Sequence, residues 1–152
     1  MMTIQPMTIT SGKLQTSTIR LPMTLEEYLN YDDGTETRYE LVDGVLVEMG
    51  AETDRNVLIG LFLLVTFSRL LPLAQLRRGT ELETPRSKAT SRYPDLIVLT
   101  EAGSAALVGD QRSLITLEMP APALVVEVVS PGDEESDNYR RDYIEKRQEY
   151  AA

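Results

Sequence analysis

The stretch Ala123-Leu124-Val125-Val126-Glu127-Val128-Val129 is a continuous apolar run broken by one carboxylate. A short run of this kind, rich in β-branched residues, reads as a central strand of a covered sheet. A lone carboxylate within it must be neutralised, paired or held at a strand end, because an isolated charge is costly to remove from water. A second apolar strand starts in a similar way at Tyr93-Pro94-Asp95-Leu96-Ile97-Val98-Leu99, with Asp95 at its entrance. Carboxylates on two adjacent strands raise one another's pKa, and a divalent cation between them relieves both. The competing account places each at a strand end, open to water or facing an arginine. The residues alone leave both accounts standing.

Working outward, Thr24 and Glu27 make a capping box for a helix over Leu25 to Asn30, which Asp33-Gly34 stops. Tyr39 to Val42 and Val45 to Met49 flank Asp43-Gly44, the dipeptide favoured in type I′ turns, and predict a tight β-hairpin. Asp54 is positioned to cap a helix through Leu71, ended by Pro72. Its apolar residues cover nearly the whole circumference, so it reads as a buried helix packed on more than one side. Further strands are expected over Leu73 to Leu82 and Leu96 to Leu99, with 85–93 as a polar connection. A short helix is expected near Ser104 to Val108, a minor strand over Ile115 to Met119, and a helix from Ser136 onward. Helix, three strands and helix form an α/β order, an α+β mixed sheet covered by helices and preceded by the hairpin.

The 152 residues suit one domain, expected over 21–152 after a flexible leader at 1–20 without the basic start and apolar run of a signal peptide. No stretch is long and apolar enough for a membrane span. Cysteine and histidine are both absent, which excludes disulfides, thiol and imidazole nucleophile systems, and zinc sites built on those ligands. A reducing cytoplasm is the natural setting. Carboxylates remain as the hard ligands, and they suit magnesium or manganese. The formal charge of −9 opposes binding to a polyanion unless part of the acidic excess lies in a metal site. The most basic stretch holds Arg77, Arg78, Arg86, Lys88 and Arg92, of which Arg77, Arg78 and Arg92 are the candidate nucleic-acid contacts; a solvated loop is the plainer account.

Four strings in order carry a resemblance: Arg38-Tyr39-Glu40-Leu41-Val42-Asp43-Gly44, Tyr93-Pro94-Asp95-Leu96-Ile97-Val98, Leu124-Val125-Val126-Glu127-Val128-Val129-Ser130-Pro131, and Asp142 to Lys146 with Tyr150. From Met23 onward the chain resembles the Uma-two family of bacterial restriction endonucleases in the PD-(D/E)XK nuclease superfamily. The resemblance implies a restriction-endonuclease-like core and magnesium-dependent (or manganese-dependent) endonuclease activity on nucleic acid, with DNA favoured over RNA. By position, Asp95 is the Asp of the PD pair and Glu127 the acid of the second half, both implied metal ligands, with the Val128 carbonyl as a further donor. Glu40 matches the family's upstream glutamate, implied to hold a metal-bound water or a second ion. Val129 stands where the motif's lysine is expected, and Lys146 from the following helix matches the family's alternative, orienting the attacking water. Without the resemblance, Lys146 reads as a surface i,i+4 partner of Asp142. Related nucleases often work as homodimers. The family continues past the helix carrying Lys146 into another strand, so a C-terminal truncation is expected, with a catalytically inert nucleic-acid-binding or assembly module as the alternative function. A two-carboxylate glycosidase is disfavoured, because tryptophan is absent and phenylalanine scarce.

Overall fold

The computed structural model of the chain describes residues 21–129 and 133–152. The expected leader at 1–20 and the Ser130-Pro131 pair lie outside the described residues.

Helix α1 (Leu25–Leu29) is closed by the predicted capping box: Thr24 Oγ1 accepts from the Glu27 N–H at 3.1 Å, and a Glu27 carboxylate oxygen accepts from the Thr24 N–H at 2.7 Å. It presents Tyr28 to Leu41 and Leu46, which form one small apolar core. Strands β1 (Tyr39–Val42) and β2 (Val45–Glu48) pair antiparallel from Val42 opposite Val45 to Tyr39 opposite Glu48. Asp43 and Gly44 both take left-handed backbone, φ 49° and 77°, as the type I′ turn requires. The turn is tied in: the Met23 N–H donates to Gly44 O and the Gly44 N–H to Ala89 O, each at 2.8 Å.

Helix α2 (Asp54–Ser68) is capped by Thr53 rather than Asp54, the Thr53 hydroxyl accepting from the Asn56 N–H. Beyond Pro72 the chain makes a 3₁₀ turn (Leu73–Gln75) and then β3 (Leu76–Arg77), β4 (Glu81–Glu83), β5 (Ser91–Arg92) and β6 (Leu96–Val98). Helix α3 (Glu101–Ala106), β7 (Leu114–Ile115) and β8 (Leu124–Val126) follow. The C-terminal helical segment comprises α4 (Asp137–Tyr139), a π-helical stretch (Arg140–Glu145) and α5 (Lys146–Ala151). Among the described residues the strands form two sheets, β2-β1-β5-β4-β7 and β3-β6-β8, in which only the β4–β7 pair is parallel. This is the mixed α+β architecture expected of a restriction-endonuclease-like fold, with α2, the three strands β3, β6 and β8, and the C-terminal helix in the anticipated order. A second core of Leu82, Ile97, Leu99 and Ile115 takes Val125 and Tyr150 against it. Among the described residues no helix is long and apolar enough to cross a membrane.

Several expectations need correction, the first being the polar connection over 85–93, since β5 (Ser91–Arg92) lies within it and joins β1 to β4. The continuous strand over Leu73 to Leu82 is divided: Gly79, at φ 71°, turns the chain from β3 in one sheet to β4 in the other. Ala123 to Val129 is not a central strand, because β8 lies at the edge of its sheet and β6 occupies the centre. Among the described residues, helix α2 is covered on one face only. Asn56 and Gly60 are buried, whereas Leu58, Leu61, Phe62 and Val65 are exposed, so an apolar circumference did not imply burial all round.

Gly44 is the most constrained residue of the hairpin, since a Cβ there would meet the ring of Pro22 as well as sit in a left-handed conformation. Gly44→Ala is expected to destabilise the fold by roughly 2 kcal/mol or more, read as a lower denaturant midpoint at unchanged slope. A midpoint equal to wild type would remove the turn as a constraint on the fold.

Candidate active site

Asp95 immediately precedes β6 and Glu127 immediately follows β8. These strands pair antiparallel with Leu96 opposite Val126, and one further step in that register sets Asp95 opposite Glu127. Two carboxylates are therefore juxtaposed by strand pairing, each at a strand end. The Val128 N–H donates to Asp95 Oδ2 at 2.6 Å, which ties the two strand ends together.

The third component comes from the C-terminal helix. Lys146 Nζ lies 3.1 Å from Glu127 Oε1 and 3.4 Å from Glu40 Oε1, with its side chain only 9% exposed. The surface pairing with Asp142 is not formed; Asp142 instead accepts from Arg141. The π-helical turn at Arg140–Glu145 adds a residue to the turn and breaks the i,i+4 stacking that would align Asp142 with Lys146. One turn on, the Tyr150 hydroxyl donates to the same Glu127 Oε1 at 2.6 Å. Lys146, Glu149 and Tyr150 stand three and four residues apart, on one helical face.

Glu40, Asp95, Glu127 and Lys146 line one cleft of about 840 Å³, together with Glu52 and Arg78. Glu40 arrives on β1, where side-chain alternation sends Leu41 into the apolar core and Glu40 toward the polar interior. Its carboxylate is committed to protein donors: Oε2 accepts from Arg92 at 3.1 Å and Oε1 from the Tyr93 N–H at 3.0 Å, beside Lys146. These contacts also set Glu40 Oε1 3.4 Å from Lys146 Nζ. Arg92 departs from expectation. Its side chain is 1% exposed and engages Glu149 through Nε at 2.8 Å and a terminal nitrogen at 2.7 Å, so it cannot reach a phosphate in solvent. Arg77 folds back onto the carbonyls of Ala74 and Leu76. Of the three expected nucleic-acid contacts, Arg78 alone lines the cleft.

Glu149, Tyr150 and Glu52 belong to this region without having been singled out for a role. The Lys146/Glu149/Tyr150 spacing was a usable signal for the first two. Nothing in the local sequence around Glu52 separates it from an ordinary surface acid.

Burial pushes the Glu127 carboxyl up to about 7, against the pull of Lys146 and the Tyr150 hydroxyl and with a small push from Asp95. Burial works to lower the Lys146 pKa, yet Glu40 and Glu127 carry it above the usual lysine value, so the amine stays an ammonium ion. Glu52 is raised by burial and by its proximity to Asp95. Among the described residues no three acidic side chains are grouped closely enough to hold a metal ion between them. Two carboxylates nevertheless match magnesium, which keeps several waters and binds through one or two carboxylates plus substrate phosphate. Glu127 Oε1 takes both protein donors, and Oε2 has no hydrogen-bond partner among the described residues.

Because its folded-state pKa of about 7 exceeds the ordinary 4.5, Glu127 contributes stability below about pH 4.5 that is lost as pH rises through 7. In chelator-treated buffer, wild type is expected to lose on the order of 3 kcal/mol more than Glu127→Gln between about pH 5 and about pH 8. Parallel stability profiles in urea titrations of the two proteins would contradict this assignment.

Comparison with curated proteins finds no match to this chain. A family model, Uma2, described as "Putative restriction endonuclease", matches residues 25–152. That span includes Glu40, Asp95, Glu127 and Lys146, and the description supports, at family level, a nuclease with nucleic acid as its substrate class. With nearly the whole described chain inside the match, this protein belongs to the Uma2 family.

Proposed function

We propose that the chain is a magnesium-dependent endonuclease that hydrolyses phosphodiester bonds in DNA. The observation that carries this reading is the convergence of Asp95, Glu127 and Lys146, from two strand ends and a helix, on one cleft, with the ammonium 3.1 Å from the carboxylate. Asp95 and Glu127 would hold the magnesium ion, which when bound supplies Lewis-acid activation of water and charge stabilisation at the phosphate. Manganese would serve the same ligands.

The protein's own groups then have distinct tasks. Val128 fixes Asp95 through its amide, and Tyr150 with Lys146 fixes the plane of Glu127, leaving Oε2 for the cleft. Lys146, held charged by Glu40 and Glu127, is a hydrogen-bond donor rather than a base. It orients the attacking water and offsets negative charge growing on the phosphoryl oxygens. The displacement is in line: the water oxygen bonds to phosphorus as the opposite ester P–O bond breaks, the water gives up a proton to solvent, and the departing oxygen leaves as an alkoxide that takes a proton from solvent. The same reading places the enzyme in the cytoplasm, consistent with a cysteine-free chain, and as a homodimer, for which the exposed apolar row of α2 offers a surface.

The test is cleavage of plasmid and oligonucleotide DNA with and without magnesium. Asp95→Ala and Glu127→Ala are each expected to abolish cleavage while circular dichroism stays native, and magnesium is expected to raise the melting temperature of wild type but of neither variant. Cleavage retained by either variant would refute the assignment, and DNA binding without cleavage by wild type would favour the inert binding module instead. Lys146→Met should lower the cleavage rate by about 10²-fold to 10³-fold at similar substrate affinity, as loss of a preorganised donor at a developing charge does.

A further inference from the structure

An acidic chain that cuts DNA needs cations where the substrate backbone lies, and most basic side chains near this cleft are already engaged. Arg141 pairs with Asp142, Lys146 with Glu127 and Glu40, and Arg92 is enclosed by Glu40 and Glu149. Two further guanidinium groups line the cleft, Arg38 and Arg78, the latter paired only at 3.5 Å with the half-exposed Glu52. Arg38 is exposed, forms no ion pair among the described residues, and lies over the ring of Tyr93 at 4.6 Å from its centroid. Tyr93 stands two residues before Asp95. Arg78 is tied to the backbone of the same residue: its Nε donates to the Asp95 carbonyl oxygen at 3.1 Å, and a terminal nitrogen reaches Glu52 at 3.5 Å.

Arg78 also has a prepared place against α2. A Cβ at Gly60, in the middle of that helix, would come within 3.1 Å of the Arg78 guanidinium carbon and of one of its terminal nitrogens. A glycine inside a helix costs about 0.5–1 kcal/mol relative to alanine, and here it leaves the room the guanidinium occupies. Stacking on an aromatic face, as Arg38 does, leaves the in-plane N–H edge of the guanidinium free for phosphate oxygens. Both arginines line the cleft together with Glu52 and Asp95.

We propose that Arg38, on its Tyr93 platform, and Arg78, seated on Gly60, are the pair of residues that grips the DNA backbone on the Asp95 side of the cleft. This inference rests on the nuclease reading and adds where the substrate is held. Electrostatic recognition is then narrow. A duplex contact of two phosphates gives a slope of log binding constant against log salt of about −2, whereas broad basic surfaces give several times that. Glu52 competes with phosphate for Arg78 and weakens binding.

The experiment measures anisotropy of a labelled DNA duplex with the full chain, in constant calcium in place of magnesium, over a range of potassium chloride. Wild type is expected to show a slope near −2. Arg38→Gln and Arg78→Gln should each weaken low-salt binding about tenfold and flatten the slope by about one. Gly60→Ala, which displaces the Arg78 guanidinium by a few tenths of an ångström, should weaken binding less than Arg78→Gln does, and Glu52→Gln should tighten binding. Lys88→Gln, an exposed basic residue outside the cleft, should leave the slope unchanged. If wild type binds or cleaves DNA while both arginine variants keep the wild-type slope, or if Lys88→Gln flattens it equally, the arginine grip is overturned and the nuclease reading stands. A wild type that neither binds nor cleaves DNA overturns the nuclease reading, and this inference with it.

Discussion

Arg92 is enclosed between Glu40 and Glu149, and the charges continue outward from it in alternation. Glu149 also receives Arg86, which reaches the hairpin turn at Asp43; Glu40 neighbours Lys146, which reaches Glu127 at the cleft. Each of these groups would be expensive to bury alone, and removing one partner from a buried pair typically costs about 3–5 kcal/mol because the other is left uncompensated. The arrangement therefore sets geometry more than it adds net stability. It locks the C-terminal helix in one orientation against β1 and β5. The helix needs that help, since a π-helical stretch separates two short α-helical segments and little apolar surface holds it.

Seen from the cleft, this ion-pair chain is what brings an ammonium to a pair of opposed carboxylates. Asp95 and Glu127 meet because β6 and β8 pair in one register, a matter of backbone hydrogen bonding. Lys146 meets Glu127 because Glu149 and Tyr150, on its own helical face, are bound to Arg92 and Glu127. Two independent constraints thus determine one constellation. Burial raises the Glu127 pKa to about 7 even with Lys146 and Tyr150 beside it, which marks a position where further positive charge would be favourable.

The acidic balance of the chain takes on a different meaning once the pairs are assigned. Glu40, Glu81 and Glu149 are buried against arginines, so a share of the negative charge is internal. The same pairs consume Arg92 and engage Arg86 and Arg112. Basic residues counted along the sequence are therefore a poor measure of the cations offered to a polyanion. Their distribution between interior and cleft decides it.

Much of this protein could be read without coordinates. The capping box at Thr24, the Asp43-Gly44 hairpin and the apolar strands around Asp95 and Glu127 are local signals, set by backbone sterics and by the cost of burying charge, and they appear where the sequence puts them. The grouping of Glu40, Asp95, Glu127 and Lys146 was legible only through the ordered strings that resemble a family, since each residue alone has an ordinary structural explanation. Tertiary structure decided the rest. Whether an arginine such as Arg92 faces DNA or an internal carboxylate, whether an apolar helix such as α2 is covered or exposed, and whether Ala123 to Val129 lies at the centre or the edge of a sheet all depend on which distant segments pack alongside. A sequence states what a residue can do; the neighbours that supply its dielectric, its partner charge or its hydrogen bond come from elsewhere in the chain.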